Sequence, residues 1–148
     1  MQNSMILSEQ YKALSKPNFS IMLELLFSPS SFHEIYLHLG HTKESEDKLK
    51  YSIRYATFSF MEPYEVLEVP IELSIAEKIE EILCESKISI IPQRYSMGLD
   101  GHSFILKVNR GFNKIEIRWW CEPDEEWAPL GELVELIFSQ LPKKLREY

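Results

Sequence analysis

Three histidines crowd one region of this chain, His33, His38 and His41, with Glu34 beside them. A bound zinc ion needs three or four such groups converging within bonding distance. On a helix Glu34, His38 and His41 would share a face. On a strand, residues an odd number apart point to opposite faces, so neither His33 with His38 nor His38 with His41 shares a site. The run 32–39 alternates His33, Ile35, Leu37 and Leu39 and soon meets Gly40, although Ser31 and Glu34 have the spacing of a capping box. We read it as a strand, which leaves no metal site. Glu34 and His38 then share a face as a solvated pair of little energetic weight.

The other reactive groups are as sparse. Cys84 and Cys121 fit no ligand spacing and are expected as two reduced, partly buried thiols. Ser103 follows His102 but lacks the glycine pattern of a nucleophile elbow, and no phosphate loop or dinucleotide fingerprint occurs. Asp124, Glu125 and Glu126 lie in one loop, where like charges spread into water instead of sharing a proton. The sequence therefore points to no catalytic residues and no cofactor.

Residues 99–141 are the stretch around which the rest is organised. Phe104, Leu106 and Val108 alternate, as do Ile115, Ile117 and Trp119, with the period of two of half-buried strands. Asn109 to Asn113, with Gly111 between them, reads as a hairpin loop of about five residues, and Asp100-Gly101 as the turn that opens the first strand. After the acidic loop, Leu130, Leu133, Val134, Ile137, Phe138 and Leu141 recur at helical spacing, with Pro129 in the first turn and Pro142 at the end. Trp119 and Trp120 must face opposite sides of the sheet.

Upstream, Ile6, Leu7, Tyr11 and Leu14 form the stripe of a short helix over the first fifteen or so residues, stopped by Lys16-Pro17-Asn18. Phe19, Ile21, Leu23, Leu25 and Phe27 alternate as a strand. Leu49, Tyr51, Ile53 and Tyr55 form one face of another, against Lys50, Ser52 and Arg54, and residues 41–48 form the loop before it. Residues 64–73, with Pro70 inside, read as an edge strand or ordered loop. Ser74, with Glu77 three residues on, is the expected N-cap of a helix whose stripe is Ile75, Ile79, Ile82 and Leu83. Ile88, Ile90 and Ile91 before Pro92 are expected as a short buried strand. The sum is an α+β fold: a mainly antiparallel sheet of about five or six strands with two amphipathic helices packed on one face.

The 148 residues show no composition break, so a single domain, 1–148, is expected. The net charge of −7 and the lack of a basic stripe argue against a nucleic-acid partner. No signal peptide or membrane-spanning run is visible, which makes a cytoplasmic protein without membrane attachment the expectation. An acidic surface favours a basic protein partner. Its first-choice contacts are Trp120, Glu122, Asp124, Glu125, Glu126 and Trp127, because tryptophan combines a large apolar area with one donor, as interface hot spots do. Glu44, Glu46 and Asp47 are the second choice.

Leu99-Asp100-Gly101, Phe104-Ile105-Leu106, Gly111-Phe112-Asn113, Trp119-Trp120, Glu122-Pro123, Trp127 and Pro129-Leu130 together resemble a pattern found in small uncharacterised bacterial proteins. The stretch, roughly the last third of the chain, is also similar in style to immunity proteins that neutralise toxins in interbacterial competition. That resemblance implies a toxin domain as the partner and brings no catalytic residues with it. A secretion chaperone or adaptor is the alternative class, since such chaperones are likewise small, acidic and α+β. A hydrolase-like enzyme is the third.

Overall fold

The structure is a computed structural model that describes residues 14–29, 33–58, 65–93, 98 and 100–145. Most of the helix expected over the first fifteen residues lies outside that set; Leu14, its last apolar position, is buried. The strands are β1 (Phe19–Pro29), β2 (Glu34–Ser45), β3 (Lys48–Phe58), β4 (Val66–Pro70), β5 (His102–Arg110) and β6 (Asn113–Trp120). The helices are α1 (Leu73–Glu85) and α2 (Ala128–Ser139), with 3-10 turns at Glu125–Trp127 and Lys143–Leu145. All neighbouring strands are antiparallel, in the order β4-β3-β2-β1-β5-β6. This is the α+β architecture expected, with six strands.

One face of the sheet makes the main core. Leu23, Leu25 and Phe27 of β1, Ile35, Leu37 and Leu39 of β2, Ile53 and Tyr55 of β3, and Phe104, Leu106 and Trp119 of the last hairpin turn to it. Ala76 and Ile79 of α1 and Leu130, Leu133 and Ile137 of α2 close it from above. Each fully buried leucine or isoleucine contributes about 1.5–3 kcal/mol relative to an exposed one, so this layer is the main source of stability. The opposite face carries a smaller apolar cluster of Leu14, Leu26, Tyr36 and Ala56. Its middle is charged.

Several elements depart from the sequence expectation, each for a local reason. Residues 41–48 are mostly strand: β2 runs through Gly40 to Ser45, and only Glu46-Asp47 turn. Gly40 is no terminator, because it lies opposite the bulge at Met22 where β1 comes closest. The last hairpin likewise turns on two residues, Gly111 and Phe112, with Gly111 at a positive φ of 64° in the manner of a type II′ turn. Residues 86–93 form no strand, and Ile90 and Ile91 are exposed instead of buried. Helix α1 starts at Leu73 after Glu72, two residues earlier than a Ser74 cap requires, and no side chain caps it. Pro70 does sit in an edge strand, and Pro129 does lie in the first turn of α2.

Candidate functional site

The acidic aromatic stretch after β6 divides into residues that hold the loop and residues that face water. Trp127 is buried, and its indole N–H donates to the Ser89 carbonyl at 2.7 Å. Glu126 accepts from the Gln93 backbone N–H at 2.8 Å and from the Ser89 hydroxyl at 3.2 Å. Asp124 is half-buried and its carbonyl accepts the Trp127 N–H at 2.8 Å, closing the 3-10 turn. Trp127 and Glu126 thus tie this loop to residues 86–93, contacts more than thirty residues distant in sequence and invisible to any local pattern. Glu122 and Glu125 are exposed.

The two tryptophans of β6 part as expected. Trp119 goes into the core, stacked on Phe104 with ring centroids 5.1 Å apart. Trp120 is half-buried on the other face, lying against Gly98 and Gly101, which leave room for it. A Cβ on Gly101 would sit 2.9 Å from the Trp120 ring and 2.7 Å from Cys121 Sγ. Of the two expected anchors, only Trp120 keeps exposed surface.

The second acidic set, Glu44, Glu46 and Asp47, is exposed at the β2–β3 turn, with Glu44 paired to Lys48 at 2.9 Å. The register puts that turn and the loop after β6 at opposite ends of the sheet. At about 3.3 Å per residue they are roughly 35 Å apart along the strands. They cannot form one contact patch, and the loop after β6 is the better organised of the two.

No protein-family model matches the chain, and no curated protein matches it significantly. The geometry therefore carries the functional argument alone.

The charged middle of the sheet escaped the sequence reading. On the face away from the helices, six side chains stand directly opposite one another across all six strands: Glu68, Arg54, His38, Glu24, Lys107 and Glu116. Arg54 binds Glu68 at 2.8 Å and donates from Nε to the Leu14 carbonyl at 3.0 Å. Ser52 and Lys16 also reach Glu68, at 2.8 and 3.2 Å. Burial pushes the Glu68 carboxyl up, and the hydrogen bonds from Ser52, Lys16 and Arg54 outweigh it, so the group sits below its ordinary range. His38 Nε2 lies 3.4 Å from Glu24, and Lys107 lies 3.8 Å from Glu116. The partner of His38 is thus Glu24 on the next strand and not Glu34, which is four residues away along an extended chain and accepts from Ser28 at 2.7 Å. A charge in the middle of each apolar strand was the signal available. Only the register turns those charges into a row.

The row is buried at His38, half-buried at Arg54, Glu24 and Lys107 and exposed at its two ends, Glu68 and Glu116, and its charges alternate in sign, so its contribution is to strand order and register. His38 is 1% exposed, and burial, followed by the charge of Arg54, pushes its imidazole down to about 4 from an ordinary 6.5. Because the unfolded chain takes up that proton first, the stability from neutral His38 is fully present above about pH 6.5. It is lost as the pH falls toward 4, up to about 3 kcal/mol. Burial pushes Glu24 up, with Lys107 partly opposing, so its effect has the other sign and softens the loss at the acid end. We expect the melting temperature to drop between pH 7 and pH 4 and His38→Leu to flatten that drop. Equal slopes for the two proteins would refute the assignment.

Two hollows lie on the helix side. One, of about 400 Å³, is bounded by His41, Tyr51, Glu77, Glu80, Asn109 and Arg110 among others. Its one guanidinium is already engaged, since Arg110 binds Glu80 at 2.7 Å, with Cys84 at 3.4 Å. Cys84 is an exposed free thiol, against the partly buried one expected, and Cys121 is free and half-buried. The other hollow, of about 300 Å³, is an apolar groove between α1, α2 and the β5–β6 hairpin. Among the described residues no three histidine, cysteine or acidic side chains converge as a metal site would require, and no helix is long and apolar enough to cross a membrane.

Proposed function

We propose that this chain neutralises a basic partner protein by direct contact, as an immunity protein covers a toxin. The observation that carries the reading is the loop 121–127. Glu126 and Trp127 pin it to residues 86–93, leaving Glu122 and Glu125 exposed on a held backbone, with the half-buried Trp120 two residues before Glu122. A loop ordered before binding spares the entropy of ordering it on contact. The net charge of −7 supplies attraction at long range, which raises association rate more than intrinsic affinity.

The test is binding to the product of the gene immediately upstream, by association kinetics at several salt concentrations. Glu122→Lys with Glu125→Lys should slow association about tenfold and flatten its salt dependence while leaving melting unchanged. Trp120→Ala should weaken the complex by about 2 kcal/mol or more, mainly through faster dissociation. Glu126 is left out because its reversal would release residues 86–93.

The apolar groove favours a second reading, a secretion chaperone or adaptor that holds an apolar segment of a secreted protein between α1, α2 and β6. Under that reading the same double charge reversal leaves segment binding unchanged.

A further inference from the structure

The two edges of the sheet are built differently. β4 has five residues and ends in Pro70, which lacks the N–H that a further strand would need. β6 has eight residues and no proline, and its register with β5 is uninterrupted. Lys114, Ile115, Glu116 and Arg118 are exposed, and among the described residues no further strand pairs with β6. Arg110 and Asn113 close the two-residue turn, and Cys121 N–H donates to the His102 carbonyl at 2.7 Å. Antiparallel pairs alternate, so the odd-numbered residues of β6 turn their backbone polar groups to β5. Lys114, Glu116, Arg118 and Trp120 turn theirs outward.

Charges on an edge strand ordinarily repel a random strand. Here their order, Lys114-Ile115-Glu116-Ile117-Arg118, complements itself. We propose that β6 pairs antiparallel with β6 of a second copy of this chain, about a two-fold axis at Ile117. In that register Glu116, which Arg118 of its own chain already binds at 2.8 Å, also faces the second copy's Arg118, and the symmetry repeats the pair. Ile115 faces the second copy's Trp119, and Ile117 meets its equivalent, both on the side of the apolar groove that Ile115 and Ile117 help to line. Lys114 faces the second copy's Trp120. Moving the axis to Glu116 sets Glu116 against itself and Lys114 against Arg118. Moving it to Ile115 keeps one complementary pair, Lys114 with Glu116, but confines the ladder to residues 113–117 and sets Arg118 against the turn. The Ile117 axis pairs residues 114–120 and opposes unlike charges. The two copies form one continuous sheet, with both helix layers on the same side.

The mass of the full chain in solution tests this, followed by charge exchange and cross-linking. The expected species is a dimer of the 17.5 kDa chain. Arg118→Glu places like charges opposite each other twice and should weaken dimerisation about tenfold or more. Glu116→Arg combined with Arg118→Glu restores the pairs and the dimer. Both positions are exposed, and circular dichroism would establish that each variant is folded. With Cys84 and Cys121 replaced by serine, Ile117→Cys should cross-link on mild oxidation, because residues at the axis of a non-hydrogen-bonded pair have Cα atoms about 4.5 Å apart. Ile115→Cys should not. A monomer at all concentrations, a dimer indifferent to Arg118→Glu, or preferential cross-linking through Ile115→Cys would overturn the proposal.

Discussion

Trp127→Ala is expected to cost about 3–5 kcal/mol of folding stability, a large share of what a domain of this size has. The melting temperature should fall by roughly 10 °C or more. The indole is buried in the main core between the loop after β6 and residues 86–93, and its N–H holds the Ser89 carbonyl. Removing it leaves a large cavity and frees the loop that presents Glu122 and Glu125. Trp127→Phe keeps most of the apolar volume and loses the hydrogen bond, so it should cost less, with about 1 kcal/mol from the lost bond. Urea unfolding of the free protein decides the matter. An alanine variant as stable as the parent would show that the side chain serves contact with a partner and not the fold.

Gly40→Ala should be comparably damaging, at about 3 kcal/mol or more, for a steric reason. A Cβ at this position would lie 2.1 Å from the Ser20 carbonyl oxygen and 3.0 Å from the Phe19 ring. The first of these is backbone, so relief requires moving β1 away from β2 beside the Met22 bulge, at the centre of the sheet. Gly111→Ala is the control: nothing lies within 4 Å of its Cβ, and only its positive φ opposes the change, at about 1 kcal/mol. Unfolding midpoints should therefore rank the parent above Gly111→Ala and Gly111→Ala well above Gly40→Ala. Equal losses would mean that the strands adjust freely at the bulge.

What was legible in the sequence was whatever repeats with a period. The β5–β6 hairpin, the alternation of β3 and the stripe of α2 are local patterns, and each appears where periodicity puts it. The face shared by the helices follows from the same patterns. Gly40 was misread because a glycine within a strand and a glycine ending one look alike until the bulge in β1 is known. Ile88, Ile90 and Ile91 look like a buried strand, yet among the described residues none pairs with them as a strand, and the segment is tied down by Glu126 and Trp127 instead. The roles of those two residues could not be separated from those of Glu122 and Glu125 by type or spacing, since all belong to one acidic aromatic stretch. The row from Glu68 to Glu116 depends on the register of five strand pairs, which no single stretch encodes.

If the loop after β6 is the contact surface, its charge must govern how fast a partner arrives without governing the fold. The most direct measurement is the association rate between the product of the gene immediately upstream and this chain, with and without Glu122→Lys and Glu125→Lys, across a salt series, alongside melting of the free proteins. The account predicts a complex that forms about tenfold more slowly with the double variant, a flatter salt dependence, and unchanged melting. No complex with that product, or an unchanged rate and salt dependence, would contradict it.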